Sequence, residues 1–155
     1  MDDFRSVLQR TIDTFLENNM LGVKKKDTSL FSIALSEDCV RMYRPLSLVR
    51  RYPQFFKSEL KNADYEAQMK MELQTMREVS QKITRTVIDT TQRRASIHTE
   101  QTILTVDGHS ENTVETIWDL DFTEDGTRIS RIFVIVDTYE SSKIIEEILS
   151  KAAGE

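Results

Sequence analysis

The sequence predicts an α+β fold in which helices cover one face of a curved antiparallel sheet. Three observations support this prediction. Apolar residues recur at helical spacing near the start of the 155-residue chain. Long alternating segments rich in Thr, Ile and Val fill its second half, and a last segment is again helical in pattern. Helices segregated to one face of an antiparallel sheet bury the apolar sides of both.

An amphipathic helix is predicted to open the chain. Its apolar residues recur every three or four positions up to Leu16, and Asp2 or Asp3 is available as the N-cap. Gly22 is expected to end this helix. The lysines at positions 24–26 are interpreted as a short solvated turn, because three charges are too few for a basic binding patch.

A strand lies among the helices of the first half. Asp27 is a candidate cap for a short helix, and residues 38–44 have the composition of a strand that stops at Pro45. A helix is then predicted from Asn62 to about Arg77, because this segment is rich in good helix formers.

The second half is predicted to form a meander of long strands. Four alternating segments are assigned as strands: 80–89, 93–106, 112–122 and 128–137. Asp107-Gly108 and Asp125-Gly126 mark tight reversals, and a final helix is predicted over 141–153. Strands of roughly ten residues accumulate twist, so the sheet curls. A curled sheet capped by helices encloses a cone, which is a natural small-molecule site.

Composition limits the classes of partner. A net charge of −5 argues against nucleic acid or an anionic membrane. The single Cys39 and the absence of a secretory signal or a long apolar run favour a cytoplasmic domain over residues 1–155, without a membrane span. No glycine-rich phosphate loop, metal-spaced His/Cys cluster or strand-elbow serine is present, so neither a cofactor nor a metal is expected.

Several short motifs resemble, in their order and spacing, those of the NTF2-like or SnoaL-like superfamily. They are Asp38-Cys39-Val40, Pro45 with Ser47-Leu48, Asn62-Ala63-Asp64-Tyr65, Thr123-Glu124-Asp125-Gly126 and Val136-Asp137-Thr138. The closer resemblance is to small fungal members that act as cofactor-free isomerases or cyclases in terpenoid and alkaloid biosynthesis. It implies an NTF2-like cone, whose strongly curved antiparallel sheet is wrapped by N-terminal helices and a C-terminal helix. It also implies a homodimer.

The first candidate catalytic residues are Arg41 and Tyr43. Arg41 stands where members of this family often carry a polar residue that faces the cavity, and a guanidinium there could hold a developing oxyanion. Tyr43 has the same strand parity, so its hydroxyl is expected on the same side. The alternative is that Arg41 forms a structural ion pair with an acid such as Asp38 or Asp137.

Asp137 and His98 are the candidate proton-transfer groups. A carboxylate at the edge of an apolar cavity could act as a base, although Asp137 also suits the N-cap of the final helix. His98 titrates in a useful range, but Ile97 and His98 face opposite sides of their strand, so a solvated histidine is the alternative. His109, in a hairpin, is expected to face solvent.

Four residues are candidates for substrate binding. Trp118, Thr116 and Asn112 share one face of their strand with apolar neighbours, and Trp118 could stack on a flat substrate. Val134 lies in the wholly apolar run 132–136, near where many proteins of the resembled family carry an acid. The interior is therefore expected to suit a lipophilic substrate.

Two classes of function fit these residues. The first is a cofactor-independent isomerase, cyclase or dehydratase acting on a lipophilic secondary-metabolite intermediate. In it, Arg41 and Tyr43 polarise an oxygen while Asp137 or His98 moves a proton. The alternative is a non-catalytic module that binds a small molecule or dimerises, which the apolar last strand favours.

Overall fold

The first helix packs its apolar stripe against the sheet. The structure is a computed structural model that describes residues 3–108 and 111–154. Helix α1 spans Phe4–Lys25, and the carboxylate of its N-cap, Asp3, accepts a hydrogen bond from the backbone N–H of Ser6 at 2.7 Å. Asp2, the other predicted cap, lies outside the described residues.

The predicted end of α1 at Gly22 is wrong, because the helix continues for three more residues. Gly22 lies inside the helix, where an added Cβ would stand only 2.7 Å from the ring of Phe31. The missing side chain therefore serves close packing rather than termination. The helix ends at Lys25, and its C-cap, Lys26, has a left-handed backbone conformation. All three lysines at positions 24–26 are exposed, as predicted, and the Lys26 ammonium also donates to the carbonyl oxygens of Leu73 and Met76.

The other elements follow the predicted order. They are a 3-10 helix (Thr28–Ser32), β1 (Leu35–Arg44), α2 (Leu46–Arg51), β2 (Leu60–Lys61), α3 (Asn62–Glu72), β3 (Met76–Asp89), β4 (Arg94–Thr105), β5 (Glu111–Phe122), β6 (Ile129–Val136) and α4 (Thr138–Ala152). None of the helices in the described part of the chain has the length and apolar character that a bilayer crossing requires.

The largest boundary difference lies between α3 and β3. The sequence predicted a helix to about Arg77, but α3 ends at Glu72 and the chain turns. The backbone N–H of Thr75 and its hydroxyl both donate to the carbonyl oxygen of Glu72, at 3.0 and 2.9 Å. Residues from Met76 onward pair with β4 instead, which shows tertiary pairing overriding local helix propensity.

The six strands form one mixed sheet in the order β2-β1-β6-β5-β4-β3. Strands β3 to β6 form the predicted antiparallel meander, but β1 pairs with β6 in parallel. The predicted sheet was wholly antiparallel. The parallel pair arises because β1 and β6 are distant in sequence, so the long connection between them can return the chain in the same direction. The predicted α+β fold is otherwise confirmed.

The interior of the curved sheet has two distinct ends. At one end, α1 and the strands bury a continuous apolar cluster that includes Leu8, Ile12, Leu120 and Ile129, all at most 1% exposed. At the other end, toward α3 and α4, the same inner face borders a cavity. The fold therefore supplies both a packed core and a partly open cavity.

Candidate active site

A cavity of about 140 Å³ lies between the inner face of the sheet and helices α1, α3 and α4. Most of its wall is apolar or aromatic. Several lining residues are partly exposed, among them Glu72 on α3, Ile103 on β4 and Ile144 on α4, so the cavity is open to solvent. A mostly apolar cavity with a few convergent polar groups is the usual form of a small-molecule site.

Arg41 is buried beside this cavity without an ion-pair partner. It is only 2% exposed, and its guanidinium carbon lies 3.4 Å from the centre of the Tyr65 ring, as in a cation–π contact. Neither terminal nitrogen has a hydrogen-bond partner among the described residues. Burial lowers the pKa of Arg41, but the nearby hydroxyls of Tyr65 and Tyr43 outweigh burial and raise it, so the guanidinium stays charged. The predicted alternative of a structural pair with Asp38 is not what the structure shows.

Tyr43 lines the cavity, with its ring 4.9 Å from the ring of Phe56. Burial raises the pKa of Tyr43 well above its usual value. The nearby Tyr65 raises this pKa further, whereas the charge of Arg41 lowers it. The Tyr43 hydroxyl therefore stays protonated near neutral pH and can donate a hydrogen bond to a substrate oxygen.

Glu72 is the carboxyl group of the cavity, and the sequence analysis did not identify it. Burial raises its pKa to about 7, while the amide of Gln68, which donates at 2.9 Å, and the charge of Arg41 oppose that rise. A group with this pKa exchanges a proton readily near neutral pH. The available signal was the helical spacing of Tyr65, Met69 and Glu72, which puts the acid on the buried face of α3.

Three of the four predicted binding residues line the cavity, namely Trp118, Thr116 and Val134. Trp118 also packs in the core, where its ring nitrogen donates to the hydroxyl of Thr99 at 3.2 Å. Asn112 shares the strand face of these residues but does not reach the lining.

The other predicted catalytic residues are not among those that line the cavity. His98 is half-buried on the opposite side of β4 from the buried Ile97. The carboxylate of Asp137 caps α4 and accepts from the backbone N–H of Glu140 at 3.2 Å. His109 lies outside the described residues. Burial raises the pKa of Cys39 to about 11, so its thiol stays protonated.

Unpaired polar atoms concentrate around the cavity. Both amide atoms of Asn19, both terminal nitrogens of Arg41 and Oε1 of Gln68 are buried without a partner among the described residues. Asn19 and Gln68 line the cavity, and Arg41 packs on Tyr65, which lines it too. An unpaired buried polar atom costs about 1–3 kcal/mol, so this end of the interior is the less favourable for stability. Within the described ranges, no three His, Cys, Asp or Glu side chains converge as a metal site would need.

Comparison with known proteins identifies the fold. No protein-family model and no curated protein matches the sequence. BvnE pinacolase from Penicillium brevicompactum matches with a TM-score of 0.79 over 97% of this chain and 99% of that chain, at 18% identity. PrhC from Penicillium brasilianum matches with a TM-score of 0.77 over 99% and 95%, at 15% identity. An NTF2-like protein from Burkholderia pseudomallei matches with a TM-score of 0.68 over 90% and 97%, at 14% identity. These similarities confirm the predicted NTF2-like fold.

Proposed function

We propose that this protein is a cofactor-independent isomerase or cyclase that acts on a lipophilic secondary-metabolite intermediate by acid–base catalysis. The observation that carries the proposal is Glu72, a carboxyl group with a pKa of about 7 in an apolar cavity that also contains the Tyr43 hydroxyl. Paired acid–base and hydrogen-bonding groups in a shaped, mostly apolar site suffice for proton transfer to and from carbon or oxygen.

The proposed roles follow from the protonation states. The Glu72 carboxylate removes a proton from the carbon between a substrate carbonyl and a carbon–carbon double bond, and the electron pair moves to the carbonyl oxygen to give a dienolate. Tyr43 donates a hydrogen bond to that oxygen, and the buried charge of Arg41, stacked on Tyr65, stabilises the negative charge that develops. The Glu72 carboxylic acid then returns the proton to the far carbon of that double bond as the electron pair moves back from the oxygen. The double bond shifts into conjugation with the carbonyl, so the product is an isomer of the substrate.

The fold comparison supports the general kind of reaction. BvnE, which shares this fold over nearly its whole length, is named a pinacolase. Another matched protein is described as a LEH-like epoxide hydrolase, so this fold also carries a different enzymatic activity. Here the acid of the cavity comes from α3, because the last strand is apolar from Ile132 to Val136.

The test compares the protein with Glu72→Gln on a panel of terpenoid, polyketide and indole-alkaloid intermediates in deuterated water. Chiral chromatography and mass spectrometry detect rearranged products and incorporated deuterium. We expect the protein to convert at least one compound and Glu72→Gln to be slower by about 10²–10⁴-fold. His98→Ala is the matched control, since His98 lies off the cavity. Equal rates for Glu72→Gln and the protein would remove Glu72 from the mechanism.

The alternative function is a non-catalytic small-molecule-binding module. The small volume of the cavity and the apolar last strand favour it. The same panel separates the two functions. Compounds that raise the melting temperature but return unchanged would support the binding module and exclude the enzyme.

We also propose that the protein forms a homodimer through the outer face of the sheet, the side opposite the cavity. Phe133 and Ile117 are half-buried there. The negative Asp119 pairs directly with Phe133, and the positive guanidinium of Arg44 lies 5.2 Å from the centre of the Phe133 ring. A second copy can therefore offer both apolar contact and opposite charge. Light scattering should give the mass of two chains, and Phe133→Glu should give one chain. Tyr139→Glu, at an exposed position on α4, is the control, and an unchanged mass for Phe133→Glu would contradict the proposal.

A further inference from the structure

Asn19 interrupts the apolar face of α1. Phe15, Leu16 and Val23 precede and follow it at helical spacing, and all are buried at 3% exposure or less. Asn19 is itself only 7% exposed and lines the cavity. An amphipathic helix normally places an apolar side chain at such a position, so this carboxamide needs a separate explanation.

The free protein does not supply partners for this carboxamide. Neither Nδ2 nor Oδ1 of Asn19 has a hydrogen-bond partner among the described residues. Gln68, on the facing helix α3, lines the same cavity and also has an unpaired acceptor, Oε1, while its amide nitrogen donates to Glu72. Leaving buried donors and acceptors unpaired is unfavourable, and a bound molecule with matching groups would remove the deficit.

We propose that Asn19 anchors a neutral hydrogen-bonding group of the substrate, a hydroxyl or a lactam, inside the cavity. This inference rests on the proposed function in that it takes the cavity to be the substrate site. A carboxamide presents a donor beside an acceptor, so its partner must both accept and donate. A hydroxyl does so with one oxygen, and a lactam does so with its C=O and N–H. A carboxylate would leave Oδ1 of Asn19 unpaired, and an ammonium would leave Nδ2 unpaired.

The cavity allows a direct binding test with small probes. Its volume of about 140 Å³ is close to that of an engineered cavity that binds benzene, so single rings are suitable. Trp118 is the only tryptophan in the chain and lines the cavity, so its fluorescence reports occupancy. The probes are cyclohexanol, δ-valerolactam and methylcyclohexane, which have similar ring sizes and differ in hydrogen bonding.

The experiment measures the melting temperature and the probe affinities of the protein, Asn19→Leu and the control Asn18→Leu. Asn18 is the adjacent amide on α1, half-buried and outside the cavity lining. In Asn19→Leu we expect the free protein to melt about 2–4 °C higher, because a buried unpaired amide is removed. We expect the affinity for cyclohexanol or δ-valerolactam to fall about tenfold. The affinity for methylcyclohexane should stay unchanged or increase. Asn18→Leu should leave the affinities unchanged.

Three results would overturn the inference. A lower melting temperature for Asn19→Leu would mean that Asn19 is already satisfied in the free protein. Equal losses for all three probes would mean that only shape was changed. No difference in the polar probes' affinities, or no binding of them to the protein, would exclude Asn19 as an anchor. If only one polar probe loses affinity, that probe identifies the group. Neither readout depends on turnover. The anchoring role of Asn19 can therefore be disproved while the Glu72→Gln experiment still supports the proposed function.

Discussion

The two ends of the interior share one sheet and one helix yet differ in character. At the packed end, formed by the cluster around Leu8, Ile12 and Ile129, the polar Thr11 is satisfied by donating to the carbonyl oxygen of Gly126 at 2.7 Å. At the cavity end, formed by the lining residues, the buried Asn19 carboxamide has no hydrogen-bond partner in the described part of the chain. The packed end holds the largest apolar cluster, whereas the cavity end holds the proposed acid–base groups and unpaired polar atoms that reduce stability.

The largest expected effect on stability comes from a substitution in the packed end. Leu8→Ala removes a side chain with no exposed surface and should lower the free energy of unfolding by about 2–5 kcal/mol. Urea denaturation measures the change, and Trp118 fluorescence should show that cyclohexanol still binds to the folded variant. A loss below about 1 kcal/mol would show that the packed end does not carry the stability assigned to it.

The next effect concerns Glu72 and pH. Its pKa is about 7 when folded, against an ordinary value of 4.5, so the native state keeps a proton that the unfolded chain has lost. The stabilisation from Glu72 is therefore complete below about pH 4.5. As the pH rises to 7, the free energy of unfolding falls by about 3 kcal/mol. Urea denaturation at pH 5 and pH 8 measures the loss. Glu72→Gln should lack this component, and an identical pH dependence in that variant would assign it to other groups.

The smallest effect on stability concerns Arg41. Because its terminal nitrogens are unpaired, Arg41→Met should keep the melting temperature within about 4 °C of the original, or raise it, while turnover falls about 10²–10³-fold. Calorimetry and the product assay measure the two properties on one preparation. A strongly destabilised variant would instead show that the guanidinium has a structural role at the cavity end.

Local sequence patterns were sufficient for much of the fold. Alternation along β5 placed Trp118 and Thr116 on the inner side, and the structure has both in the cavity lining. Parity on β1 likewise placed Arg41 and Tyr43 on one side, where Arg41 stacks on Tyr65 and Tyr43 lines the cavity. Strand parity depends only on the extended backbone, so these orientations required no knowledge of the partners.

The sequence by itself determined the α+β class, the order of helices and strands, and the direction in which strand side chains point. Only the tertiary structure decided that β1 joins β6 in parallel, that α3 stops at Glu72, and that Asn19 and Glu72 face one cavity. The physical reason is that local periodicity determines the conformation of a segment and which of its side chains share one face. By contrast, pairing, desolvation and unmet hydrogen bonds arise from groups that are distant in sequence and meet only after folding.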